Sequence, residues 1–222
     1  MNFKNLKKLS FKKIFYFFVI FSFFGCVYEE LLYIVNNYLD NGTFDYVTRR
    51  GVLYFELSPV YGFGAIIMIL IFSLKEYKKI DYFWLGSIIG GAFEYIASLL
   101  QELLTGTISW NYSTYFLNIN GRTTIPFMLF WGLLSYILMT KVYPVLSNKL
   151  DKIPRKYDKS IYYSLLIIVI LDLTLSFSAC IRLGLRHKGY EPLTFYGKFL
   201  DTFYDDERMK RSYTNMVDVN KE

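Results

Sequence analysis

Polar and apolar residues in this chain gather in long blocks rather than at the short periods of half-buried helices or strands. Five apolar blocks stand out, at residues 14–35, 60–74, 82–104, 126–146 and 161–181. Each meets or approaches the roughly 20 residues that cross about 30 Å of hydrocarbon as a helix. Lipid offers no partner for open backbone groups, so a helix is predicted for every block. The expected fold is an all-α, polytopic transmembrane helix bundle of about five spans. A basic segment at 1–13 precedes the helical domain at 14–182, and a polar tail follows at 183–222.

Charge placement gives that bundle a direction. Lys4, Lys7, Lys8, Lys12 and Lys13 precede the first block, Lys75, Lys78 and Lys79 follow the second, and Lys149, Lys152, Arg155, Lys156 and Lys159 precede the fifth. The other two connections hold only Arg49 and Arg50, and only Arg122. The positive-inside rule therefore puts the N-terminus in the cytoplasm, with Lys141 near the inner end of the fourth span, where it can snorkel. Five spans then leave the tail outside, its basic residues offset by seven acidic ones. The alternative is that one long outside connection dips into the membrane and the count changes. A basic start followed by Gly25-Cys26 also resembles a lipoprotein signal, but Phe23 and Phe24 are bulky for such a cleavage site, so an uncleaved helix is expected.

Polar side chains inside the blocks are costly in lipid and call for a partner or a task. In the third block, Gly86, Gly90, Glu94, Ser98 and Gln101 share one broad helical face, with Glu102 at its edge. The glycines are spaced for close helix approach, so the face offers packing at one end and a polar track at the other. Asp172 stands mid-way through the fifth block with Ser176 one turn on, and requires a partner from another helix or protonation. Glu29 and Glu30 lie toward the outer end of the first block, where headgroup contact accounts for at least one of them. Arg50, Arg122 and Arg182 are the candidate counter-charges. Trp110, Tyr112, Tyr115 and Phe116, interleaved with Asn111, Asn118 and Asn120, point to an ordered or re-entrant segment at the interface.

Composition adds exclusions. The 54% hydrophobic content and a net charge of +6 fit a membrane protein whose cations meet lipid headgroups, and nucleic acid is not an expected partner. Cys26 and Cys180 lack metal-ligand spacing, so they read as small buried residues with no metal site. No phosphate-binding loop occurs and Tyr61-Gly62-Phe63-Gly64 lacks a dinucleotide-site setting, so no cofactor is expected. His187 lies in a basic stretch and reads as solvated or headgroup-facing.

Several short stretches, in their order and spacing, resemble the ABC-transporter type IV permease family of small bacterial multi-pass proteins. They are Arg50-Gly51, Pro59-Val60-Tyr61-Gly62-Phe63-Gly64, Glu94-Tyr95, Glu102, Trp110-Asn111-Tyr112-Ser113, Asn118-Ile119-Asn120-Gly121-Arg122 and Trp131-Gly132, with a weaker match at 205–216. Arg49, Phe55-Glu56 and Asn111 depart from the family pattern, which favours Asn, Gly-Pro and Asp there. The resemblance implies a bacterial plasma-membrane permease working with a separate ATPase subunit. Glu94, Ser98, Gln101, Glu102, Asp172, Arg50, Arg122, Arg182, Trp110 and Asn118 are then the residues of a solute path or of the polar scaffold around it. A membrane-embedded enzyme using Glu94 or Glu102 as acid/base, and a scaffold without chemistry, are the alternatives.

Overall fold

A computed structural model describes residues 9–219, so Lys4, Lys7, Lys8, Lys221 and Glu222 lie outside the described residues. Helix α1 spans Phe11–Asn41, α2 Pro59–Phe72, α3 Lys79–Thr105, α4 Ile125–Ile137, α5 Tyr143–Asp151, α6 Arg155–His187, α7 Phe195–Phe203 and α8 Asp206–Ser212. Four two-residue strands complete the elements: β1 (Thr107–Ile108), β2 (Asn118–Ile119), β3 (Thr123–Thr124) and β4 (Val217–Asp218). β1 pairs antiparallel with β4, and β2 with β3.

Each predicted block falls on helix to within two residues, the fourth running from α4 into α5. Local signals set the ends: the Ser10 hydroxyl accepts from the Lys13 amide, and Gly42, at φ 72°, closes α1 by donating to the Tyr38 carbonyl. Between α4 and α5 the chain widens into a π turn over Leu138–Val142. Pro144, at the start of α5, has no N–H to give the preceding turn, which disturbs the α-helical ladder there.

Burial runs opposite to that of a water-soluble bundle. On α6 Ile167, Ile170 and Leu171 are exposed while Asp172 and Ser176 are buried. Apolar residues face outward because lipid is their solvent, and small and polar residues face the neighbouring helices. Helices α3 and α4 form the most extensive helix contact. A Cβ at Gly86 would collide with Ser135, and one at Gly90 with Trp131, so the predicted close-approach face is the one that packs on α4.

Four helical stretches are long and apolar enough to cross a membrane: α1, α3, the α4–α5 rod Ile125–Asp151, and α6 from Asp158. The fifth, α2, has 14 residues and spans only about 21 Å. The connection before it explains the difference. Residues 42–58 turn into the bundle, bury Val52, Leu53 and Leu57, and reach the middle of α6. There the Tyr54 and Phe55 amides donate to the Asp172 carboxylate (3.1–3.3 Å) and the Leu53 amide donates to the Ser176 hydroxyl (2.9 Å). The Ser58 amide donates to the Ser22 carbonyl of α1 (2.9 Å), so α2 begins at the depth of Ser22, a third of the way along α1. Non-helical backbone survives at such depth only where protein satisfies it.

The two ends of the bundle differ. At one end Lys12 pairs with Asp158, Lys13 pairs with Asp151 (2.8 Å), and the Tyr16 hydroxyl donates to Asp158. At the other, the tail folds back over the bundle instead of trailing from it. Arg182 grips Asp201 of α7 with two bonds of 2.8 Å, and Arg186 bridges Asp201 and Asp206. Such bidentate, charge-assisted contacts fix orientation as well as distance. His187 is therefore a correction to the sequence reading. Its ring is 10% exposed and sits between Asp206 (2.8 Å) and Asp218, because α8 and β4 close over the end of α6.

Candidate functional site

Above the start of α2, the tail-side half of the bundle holds a half-open cavity of about 840 Å³. Helices α1, α3, α4 and α6, the 42–58 connection, the segment after α3 and the folded tail all contribute walls. The short α2 leaves the space, because it starts part-way through the bundle and its first turn, Pro59 to Tyr61, forms the floor.

Two carboxylates from different helices face this cavity. Glu94 of α3 is buried, yet its oxygens are served by side chains: Tyr112 donates to Oε1 (3.1 Å) and Thr123 to Oε2 (2.6 Å), with the Trp131 indole alongside. Glu29 of α1 lies near enough to feel the Glu94 charge, and the Tyr61 hydroxyl and the Arg49 guanidinium both act on it. Aromatic faces surround the pair. Tyr61 lies against Trp131 with ring centroids 5.7 Å apart, and Tyr112 stacks on Phe127 at 4.7 Å. Burial, with the Glu94 charge beside it, pushes the Tyr112 phenol far above its ordinary value, so it remains a donor at any physiological pH.

Cationic groups reach the cavity from the 42–58 connection. Arg49 stacks on the Tyr33 ring at 4.4 Å. Arg50 pairs loosely with Glu56 (3.7 Å), and its Nε is buried with no hydrogen-bond partner among the described residues. That nitrogen has given up water without a replacement, so a partner is to be expected there. The Tyr213 hydroxyl, on the tail wall, is buried beside Ser176 and Cys180.

Of the residues expected from the sequence, Glu94, Gln101, Arg50 and Trp110 line the cavity. The others hold its walls. Ser98 accepts from Arg122 (3.1 Å), which also pairs with Glu102, and the Trp110 indole donates to the Arg122 carbonyl (2.9 Å). Gln101 donates to Thr107 (3.2 Å) and Ser109 (2.9 Å). Asn118 donates to the Ser113 and Tyr115 carbonyls and accepts from the Gly121 amide, closing the turn where Asn120 and Gly121 adopt positive φ. Asn111 accepts from the Ser113 amide (2.9 Å), a turn contact that asparagine makes as well as aspartate.

The arginines require a correction. Asp172 draws on none of them, because backbone amides already solvate its carboxylate. Arg182 serves Asp201 and Arg50 serves Glu56, while Arg122 alone pairs with a carboxylate of the α3 stripe. Sequence reading also missed Glu29, Arg49, Tyr61 and Tyr213 as parts of one site. A signal for Glu29 existed: neighbouring helical residues point about 100° apart, so Glu29 and Glu30 cannot share one headgroup-facing direction.

A second cluster bears on metals. Cys26 and Glu30 on α1, with Glu56 from the connection, bring three ligand atoms within 4.8 Å of one another, the only such group among the described residues. The Cys26 thiol lies 3.6–3.7 Å from the two carboxylates. The set could hold a metal ion, although the Arg50 charge on Glu56 and the Tyr46 hydroxyl on Glu30 (3.0 Å) compete for it.

Comparison with known proteins agrees with this architecture. No curated protein and no solved structure matches the chain. A family described as "Putative ABC-transporter type IV" matches residues 16–177, from the first turns of α1 to the Asp172–Ser176 anchor of α6, and leaves the folded tail outside the match. That stretch is well over half of the 222 residues, reaches into all four spans and holds both cavity carboxylates, so the chain is a membrane protein belonging to the ABC-transporter type IV family.

Proposed function

We propose that this chain is the membrane-embedded, solute-binding component of a transport system whose energy comes from a separate ATPase subunit. One observation carries the reading: an 840 Å³ cavity inside the bundle, walled by charged and aromatic side chains and floored by a helix that begins part-way through it. A non-catalytic scaffold has no need of such a chamber. Helices broken at depth, with backbone lining a cavity, are a recurring way for transporters to build a solute site.

Orientation follows from charge. Lys12, Lys13, Lys75, Lys78, Lys79, Lys149 and Lys152 mark the end away from the cavity, which we assign to the cytoplasm of a bacterial plasma membrane. An ATPase would dock there, and the cavity with its folded tail would face outward. The test is purification in mild detergent followed by reconstitution of whatever ATPase accompanies the chain. ATP-dependent solute flux is expected. A chain that purifies intact from its native membrane with no ATPase, and passes no solute in proteoliposomes, sinks the reading.

A further inference from the structure

Which chemistry the cavity selects can be read from what its walls leave unanswered. On the α1–α3–α4 wall, the carboxyl groups of Glu29 and Glu94 are framed by Tyr61, Tyr112 and Trp131, with Arg49 beside Glu29. Each carboxylate oxygen accepts more than one bond, so the hydroxyls already present leave room for further donors. Two acids beside aromatic faces form a setting for an ammonium group. The wall made by the 42–58 connection and the tail is complementary. Its buried Arg50 Nε, without a hydrogen-bond partner among the described residues, has a hydrogen to donate. The first turn of α2 opens onto the same space and adds the positive end of a helix dipole. A simple cation would leave that donor unanswered, and a simple anion would face two carboxylates. Leu32, Leu100, Leu104, Leu173 and Phe177 add apolar surface, interrupted by Asn36, Gln101, Ser109 and Asn215.

We propose, resting on the reading of the cavity as a solute site, that its ligand is a zwitterionic amphipath. The ammonium sits between Glu29 and Glu94, the anionic oxygens sit on Arg50, and an apolar body lies along the leucines. Both a zwitterionic phospholipid and a free zwitterion such as a hydrophobic dipeptide present this chemistry.

The experiment uses the full chain in mild detergent and reads the shift of its unfolding midpoint with four added probes. They are phosphatidylethanolamine, dileucine, decylamine and decanoate, with phosphatidylglycerol as the lipid control. Stabilisation by phosphatidylethanolamine and not by phosphatidylglycerol supports the proposal with a lipid as source. Stabilisation by dileucine supports it with a soluble source. Decylamine or decanoate stabilising as well as the zwitterions, phosphatidylglycerol matching phosphatidylethanolamine, or no probe stabilising at all, each overturns it. Glu29→Gln, Glu94→Gln and Arg50→Gln should each weaken the zwitterion by on the order of tenfold, since each loses a charge-assisted bond. The wild-type probe series decides the matter even if a variant fails to fold. No ATP or flux enters the assay, so a zwitterion that binds without being moved would fail the transport reading and leave this one standing.

Discussion

Asp172 and Glu94 are both carboxylates buried in the membrane-spanning helices, yet they are answered in different ways. Asp172 is filled by main chain: the Tyr54 and Phe55 amides and the Ser176 hydroxyl take its oxygens, and it does not line the cavity. Glu94 is answered by the side chains of Tyr112 and Thr123, beside a space that holds a second acid. Backbone amides are fixed by the fold and have no other use at that depth, so a carboxylate that binds them acts as a structural clamp. Hydroxyls on a cavity wall can exchange partners when a ligand arrives. Burial of a charge in lipid therefore does not by itself mark function, and the identity of the donors separates the two cases.

The largest effect should come from breaking the clamp. Asp172→Leu strips the 42–58 connection of the acceptor for two amides, which is expected to cost about 3–5 kcal/mol, as for other broken buried charge networks. Thermal unfolding in detergent should show a much lower midpoint, together with proteolysis of the 42–58 connection. A variant as stable as wild type would show that the connection does not depend on this anchor.

Next in size is the packing beneath Glu94. Gly90→Leu forces a side chain into Trp131, and overpacking of this kind costs about 1–3 kcal/mol. Because Trp131 also lines the cavity, the same substitution should weaken zwitterion binding, whereas an equal loss of stability from Phe72→Leu, buried at the far end of α2, should not. Equal binding by both variants would separate the α3–α4 contact from the site.

Glu94→Gln sharpens the contrast from the other side. It keeps the shape and two acceptor lone pairs, so stability should change by no more than about 1 kcal/mol while binding or flux falls. A large fall in stability with normal function would place Glu94 with Asp172 among the clamps.

The smallest effect concerns the tail. The Arg182 guanidinium, with Arg186 beside it, holds the Asp201 carboxyl below its ordinary value of 3.8. A depressed folded value means the pairing stabilises fully above 3.8 and is lost as pH falls below it toward the folded value. Protease sensitivity of α7 and α8 should therefore rise only on acidification below that point. It should stay flat through the neutral range if Asp201 dominates the attachment. Arg182→Gln should expose the tail at neutral pH.

Much of this was legible in the residues alone. Long apolar blocks can be satisfied only by helices in lipid, so the helices follow from the length and apolarity of the blocks. The Gly86–Gly90 face and its polar continuation through Glu94 were readable because helical rotation makes them a local property. Asp172 announced itself as needing a partner, but its spacing held no clue that the partner would be main chain.

Tertiary structure decided what no local pattern encodes. The 42–58 connection enters the bundle because Asp172 and Ser176, more than a hundred residues away in sequence, replace the water its amides lose. His187 meets Asp206 and Asp218 only once the tail has folded back, and Glu29 and Glu94 share one cavity only once α2 has packed against both α1 and α3. The sequence determines which segments lipid will accept, since that depends on each segment's own side chains. Whether a buried charge becomes a clamp or a binding group depends on which distant donors surround it, and only the assembled fold brings those donors together.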